Sequence, residues 1–129
     1  MCRAIEISLP LPPRELHPNA SGQKRYKAKP TKKCREWAYL QMRSEFVRLG
    51  YIEMWKRATW QATYTLHANT FDEDGLVGWC KAYLDGAVKD ARLLPDDGRR
   101  YLTMARPPVV KVDKTAVEGV VLRFEEVVG

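Results

Sequence analysis

The chain reads as a single α+β domain spanning residues 1–129, a mixed β-sheet packed against two main helices. Three observations predict this. Ala4 to Leu9 and Ala58 to Ala68 alternate apolar and polar residues with the period of a strand, whereas Thr31 to Leu49 and Asp74 to Ala91 repeat their apolar residues with the period of a helix. The two patterns interleave in the order β-α-β-α-β-β, which a single layered fold accommodates. No internal repeat, low-complexity segment or linker divides the chain, and 129 residues suffice to bury roughly two-thirds of the unfolded surface.

In the first strand Ile5, Ile7 and Leu9 share a face, and Pro10, Pro12 and Pro13 end it because proline donates nothing to a sheet ladder. A loop is expected to about Pro30, with His17-Pro18-Asn19 and Ser21-Gly22 as turn-forming groups. Thr31 then caps a helix whose stripe is Tyr39, Met42, Phe46 and Leu49, widened by Trp37 and Leu40, and Gly50 stops it. Trp60, Ala62, Tyr64, Leu66 and Ala68 give the next strand one buried face, as in an antiparallel sheet with a solvated side. The second helix carries Leu76, Cys80, Tyr83, Leu84, Ala87 and Val88 on its apolar stripe, and Leu93-Leu94-Pro95 breaks it. Two strands complete the sheet, one at Tyr101 to Ala105 or Val109 to Val112, and one from Val120 to Val127.

Composition narrows the partner. A net charge of +6 favours a polyanion, and it is unevenly placed. Lys24, Arg25, Lys27, Lys29, Lys32, Lys33 and Arg35 fall between Gly22 and Glu36 with no acid among them. Lys24, Arg25, Lys27, Lys29, Lys32 and Lys33 are therefore candidate contacts to a nucleic-acid backbone, recognised by shape rather than base sequence. Cys2, Cys34 and Cys80 form neither a CxxC pair nor a zinc-spaced cluster, which predicts reduced thiols and a cytoplasmic setting. No signal-peptide pattern or membrane span of ~18 apolar residues is expected.

The chemistry concentrates in Asp72-Glu73-Asp74. Two carboxylates at i, i+2 where a strand gives way to a helix can face one divalent cation, and Mg²⁺ binds through one or two carboxylates plus substrate phosphates. At about 100° per residue, Asp74, Gly78, Lys81 and Asp85 fall within roughly 60° of one another, away from the apolar stripe. Asp96-Asp97 follows the helix and offers a third carboxylate. Asp72, Asp74 and Asp97 would hold the metal and Lys81 would face the charge of a phosphodiester transition state. The bland alternative is an N-cap, a solvated i, i+4 pair and an acidic turn. His17 and His67 stand isolated in the sequence, and no phosphate-binding loop or nucleophile elbow is present.

Three blocks, Asp72-Glu73-Asp74-Gly75-Leu76, Lys81-Ala82-Tyr83-Leu84-Asp85-Gly86-Ala87 and Leu94-Pro95-Asp96-Asp97, resemble the RusA family of Holliday-junction resolvases, as does the opening Ile7-Ser8-Leu9-Pro10-Leu11-Pro12-Pro13 with Asn19 beyond it. The resemblance implies a Mg²⁺-dependent endodeoxyribonuclease, with Mn²⁺ as the alternative ion. The enzyme would work as a homodimer that places paired nicks in four-way DNA junctions, in recombination and repair or in phage DNA processing. It makes Asp72, Asp74 and Asp97 the metal-binding acids, Asp96 a lesser fourth, and Lys81 the catalytic lysine. Two departures stand out: Gly75 replaces the usual asparagine and Phe71 a frequent basic residue. The competing expectation is a non-catalytic or weakly active, structure-selective DNA-binding protein on the same scaffold. An aspartate-nucleophile phosphatase fits poorly, because Leu76 stands where that chemistry wants a threonine.

Overall fold

The computed structural model describes residues 3–17, 24–50, 53–68 and 71–128, with the side chains of residues 24–27 outside that description. The strands are β1 (Ala4–Leu9), β2 (Ala58–Leu66), β3 (Leu102–Met104), β4 (Val109–Val112) and β5 (Gly119–Glu126). The helices are α1 (Lys24–Arg48), α2 (Glu73–Trp79) and α3 (Lys81–Leu84). A 3₁₀ turn covers Arg14–Leu16, and a π-helical turn, Asp85–Asp90, continues directly from α3.

The five strands make one mixed sheet in the order β1-β5-β2-β3, with β4 also paired to β2. β5 runs antiparallel to both β1 and β2, so β1 and β2 are parallel to each other, and β3 and β4 are parallel to β2. Both crossovers, β1-α1-β2 and β2-α2-α3-β3, step the same way across the sheet. With the usual right-handed sense they put every helix on one face. Burial follows that arrangement. Ile5, Phe124 and Trp60 form one cross-strand row, Ile7, Leu122 and Ala62 a second, and Leu9, Val120 and Tyr64 a third, all buried under the helices. On the other face Glu6, Arg123 and Gln61 line up, with Arg123 bonded to Glu6 at 3.1 Å. The sheet therefore has one dry side and one wet side, as the alternation predicts.

β3 and β4 lie end to end along the same edge of β2. The sequence offered one of these segments or the other, and both form. Pro107 and Pro108 lack the N–H groups a continuous strand needs, so they split a single edge strand in two, and such a break discourages pairing with another chain. β2 stops at Leu66, and Ala68, expected at the end of its buried face, is exposed.

Two helix boundaries differ from expectation. α1 begins at Lys24 rather than Thr31 and runs through Pro30, so Thr31 lies inside the helix and caps nothing. Pro30 forgoes one bond, to the carbonyl four residues earlier, which a helix docked along its length can absorb. The buried stripe of α1 is Cys34, Ala38, Met42 and Phe46. Leu40, by contrast, is 61% exposed, and Tyr39 and Leu49 also face outward. Gly50 takes φ of 82°, a left-handed conformation suited to glycine, and ends the helix as expected. The second helix is three pieces rather than one, broken at Cys80 (φ −93°, ψ 6°) before the run ends in the π turn. Its predicted apolar stripe, Leu76, Cys80, Tyr83, Leu84, Ala87 and Val88, is nonetheless wholly buried. Among the described residues, no helix is long and apolar enough to cross a membrane.

Candidate active site

The acidic triplet opens α2 one residue earlier than its pattern suggests. Asp72, not Asp74, is the N-cap: its Oδ1 accepts from the Gly75 amide at 2.7 Å, and its backbone carbonyl accepts from Leu76 at 3.1 Å. Glu73 and Asp74 occupy the exposed first turn, where the helix dipole favours negative charge. Asp72 and Asp74 are both exposed.

Gly75 is buried, and an added side chain would crowd two others. A Cβ there would stand 2.7 Å from Asp72 Oδ1 and 3.2 Å from His17 Nε2. His17, isolated in the sequence, is 8% exposed and lies against Phe71 (4.7 Å between ring centroids) and Trp79 (5.5 Å). Trp79 in turn donates from Nε1 to the Pro13 carbonyl at 2.9 Å, and Tyr83 donates to the Pro10 carbonyl at 2.8 Å. The proline-rich segment after β1 is thereby bonded to the helical run that carries the acids.

Lys81 is exposed at the start of α3. One helical turn later, Asp85 is half-buried and shares a hydrogen bond with Asp97. Burial pushes the Asp85 carboxyl above the ordinary range, the contact with Asp97 adds to this, and Lys81 and Arg35 oppose it. Asp97 is held below the ordinary range. Burial works against that, but the hydrogen bond from Asp85, together with Lys89 and Lys81, outweighs it. Asp96 supports the loop, accepting from the Asp97 amide at 2.8 Å, with Lys89 Nζ 3.9 Å away.

The acids thus stand as two pairs, Asp72/Asp74 at the head of α2 and Asp85/Asp97 at the π turn. Among the described residues, no group of three or more acid, histidine or cysteine side chains is close enough to hold a metal ion. Angular position alone predicted one face, but a straight helix rises about 16 Å between Asp74 and Asp85. A shared face is therefore a line of side chains and not a cage. Asp85 is the acid that sequence reasoning left out of the ligand set, although its spacing from Lys81 marked it. The donors are all carboxylate oxygens, which suit a hard cation such as Mg²⁺ or Mn²⁺. The Asp85–Asp97 contact also fits one: two carboxyls at hydrogen-bond distance need a proton or a cation between them.

The basic segment belongs to the first half of α1. Lys29, Lys32 and Lys33 are exposed, with Lys33 Nζ over the Trp37 ring at 5.3 Å, and the side chains of Lys24, Arg25 and Lys27 lie outside the described residues. Arg35 is committed elsewhere. It makes a two-pronged bond to Asp90, Nε to Oδ2 at 2.9 Å and Nη2 to Oδ1 at 2.7 Å, which ties α1 to the π turn. An open groove lined by Thr31, Lys32, Arg35, Tyr39 and Asp90 runs along this junction. The basic helix and the Asp85–Asp97 pair are consequently neighbours. His67, exposed just past β2, contacts the Ala116 carbonyl at 2.9 Å and takes no part in this arrangement. Compared with known proteins, the chain matches no family model and no curated protein.

Proposed function

We propose that the chain is a RusA-like, Mg²⁺-dependent endodeoxyribonuclease, with Mn²⁺ as the alternative ion, that cuts four-way DNA junctions as a homodimer in recombination, repair or phage DNA processing. The observation that carries this reading is the Asp85–Asp97 carboxyl pair beside Lys81, bordered by the exposed lysines of α1. Asp72, Asp74 and Asp97 are the metal-holding acids, with Asp96 a lesser member and Asp85 joining Asp97. Once bound, Mg²⁺ supplies polarisation of a phosphate oxygen and a more acidic water.

The chain's own groups account for the rest. Lys81 places a positive charge beside the acids, suited to the negative charge that builds on a phosphodiester under attack. Lys29, Lys32 and Lys33, with Lys24, Arg25 and Lys27 earlier on the same helix, bind the DNA backbone without reading bases. Arg35 holds that helix in place against the π turn through Asp90. Dimerisation gains support from Leu40 and Val47, 61% and 56% exposed and one heptad apart on α1. Two subunits related by a two-fold would supply the two active sites that paired nicks require.

A non-catalytic DNA-binding protein on this scaffold is the second reading, and the separation of the acids into two pairs favours it. One experiment decides between them. A synthetic four-way junction incubated with the protein is expected to give paired nicks in Mg²⁺ and none in EDTA. Binding that is indifferent to Mg²⁺, with no nicks in either condition, would establish the second reading.

A further inference from the structure

We infer that the groove between α1 and the π turn takes an unpaired base of a DNA strand, with Tyr39 as its stacking surface. The inference rests on the reading of α1 as a nucleic-acid-binding helix and not on the assignment of any metal-holding acid. The groove has a volume of about 840 Å³, and Lys32, Arg35, Glu36 and Tyr39 of α1 line it together with Asp90 of the π turn. Sites that hold small organic ligands run from roughly 300 to 1,000 Å³, so one base has room here. At about 100° per residue, the four α1 side chains share an arc of about 100° around the helix axis. Arg35 closes that arc on the side of the π turn, through its bonds to Asp90. Lys29 and Lys33, both exposed, continue it on the other side.

The lining suits a base better than a phosphate. Lys32 and Arg35 are matched there by Glu36 and Asp90, so it offers N–H donors and carboxylate acceptors without net charge. A base is uncharged and carries donors and acceptors on its edges, whereas a phosphate is drawn to the unbalanced lysines alongside. Arg35 is already fixed, Nε to Asp90 Oδ2 at 2.9 Å and Nη2 to Oδ1 at 2.7 Å, and a guanidinium so held presents a flat face as well as its remaining donors. Tyr39 supplies the ring. It is 38% exposed, and among the described residues it makes no hydrogen bond, ring contact or cation contact. Tyr64 and Tyr83, by contrast, are buried and donate to the carbonyls of Leu76 and Pro10, and the Trp37 ring already lies under Lys33. An uncommitted aromatic ring in a groove flanked by lysines is the combination that holds single strands, with the backbone on the cations and the base on the ring.

The test is fluorescence anisotropy in EDTA with labelled oligodeoxynucleotides, single-stranded and duplex, of equal length, and a thermal melt of every variant. Tyr39→Ala is expected to bind the single strand about 10-fold more weakly or worse, to keep duplex binding within about 2-fold, and to leave the salt dependence unchanged. Tyr39→Phe retains the ring and is expected to bind as the unsubstituted protein does. Tyr39→Leu keeps apolar bulk without an aromatic face; it is expected to behave as Tyr39→Ala does, and it decides the question if that variant does not fold. The double variant Lys29→Ala, Lys33→Ala is expected to weaken both DNAs and to lower the salt slope by about one per lysine. If the two Tyr39 variants that lack a ring bind the single strand as tightly as the unsubstituted protein, or lose single strand and duplex equally, stacking is overturned and α1 stands as a backbone-binding helix. If the unsubstituted protein binds neither DNA, or the lysine variant changes neither, the reading of α1 falls and takes the inference with it.

Discussion

The Asp85 and Asp97 carboxyls share a hydrogen bond near Lys81, and burial holds the Asp85 carboxyl above its ordinary range. The raised pKa of Asp85 means that the folded chain keeps a proton the unfolded chain would release. Its contribution is fully present below the ordinary aspartate value and is lost as pH rises through the raised one. Asp97, held below that value, contributes in the opposite sense, and its share is lost on acidification. Asp85→Asn cannot ionise, so in EDTA its melting temperature is expected to pull above that of the unsubstituted protein as pH rises from acid to neutral, by a few degrees at the upper end. Melting curves that stay parallel across that range would remove the shared proton from the account. The same residues show what the sequence could and could not reveal. Asp72, Asp74, Lys81 and Asp97 were singled out from local spacing, and the structure divides the acids between the head of α2 and the π turn. The setting of His17 was not readable, because the residues that surround it, Phe71, Gly75 and Trp79, lie far along the chain and only the fold assembles them. Gly75, which reads in the sequence as a missing amide, is in the structure a position where an added Cβ would crowd the Asp72 carboxylate and the His17 ring.

The element that carries the candidate chemistry is a broken helical run. Its apolar stripe was readable because a buried period survives a local break, and the strands were readable because alternation does not depend on their partners. The break itself left no such signal, since neither Cys80 nor Asp85 is a helix breaker, and the π turn is set by packing against α1. Pro30 misled in the other direction, because a proline in the sequence does not say whether tertiary contacts carry the helix past it. Gly86 makes the packing concrete. A Cβ there would come within 2.8 Å of the Arg35 Cα and overlap the Arg35 carbonyl oxygen, so α1 and the π turn meet backbone to backbone. Since neither backbone can yield cheaply, Gly86→Ala is expected to cost about 3 kcal/mol in denaturant unfolding. Gly98→Ala, with nothing within 4 Å of its added carbon, is expected to be near neutral. Equal costs for the two would mean that the close approach at Gly86 is not what sets the π turn against α1. π-helical turns recur at functional sites, and this one begins at Asp85.

Across the whole molecule, charge and architecture point the same way. The helices cover one face of the sheet, and they bring the basic first half of α1 alongside the π turn that holds Asp85 near Asp97. A surplus of +6 is then not spread evenly but includes a helix suited to a phosphate backbone. The fold class and most of the strands follow from hydrophobic period alone. The grouping of acids into two pairs does not, because it depends on axial rise and on how the loop after the π turn returns to Asp85. The central claim is that these acids, with Lys81, cut DNA rather than merely border a DNA-binding surface. Its most direct test is the rate at which Asp97→Asn and Lys81→Ala nick a synthetic four-way junction in saturating Mg²⁺, with junction binding measured on the same preparations. Both are expected to retain binding, while Lys81→Ala slows nicking on the order of 100-fold and Asp97→Asn reduces it to background. Nicking by Asp97→Asn at the rate of the unsubstituted protein would contradict the assignment.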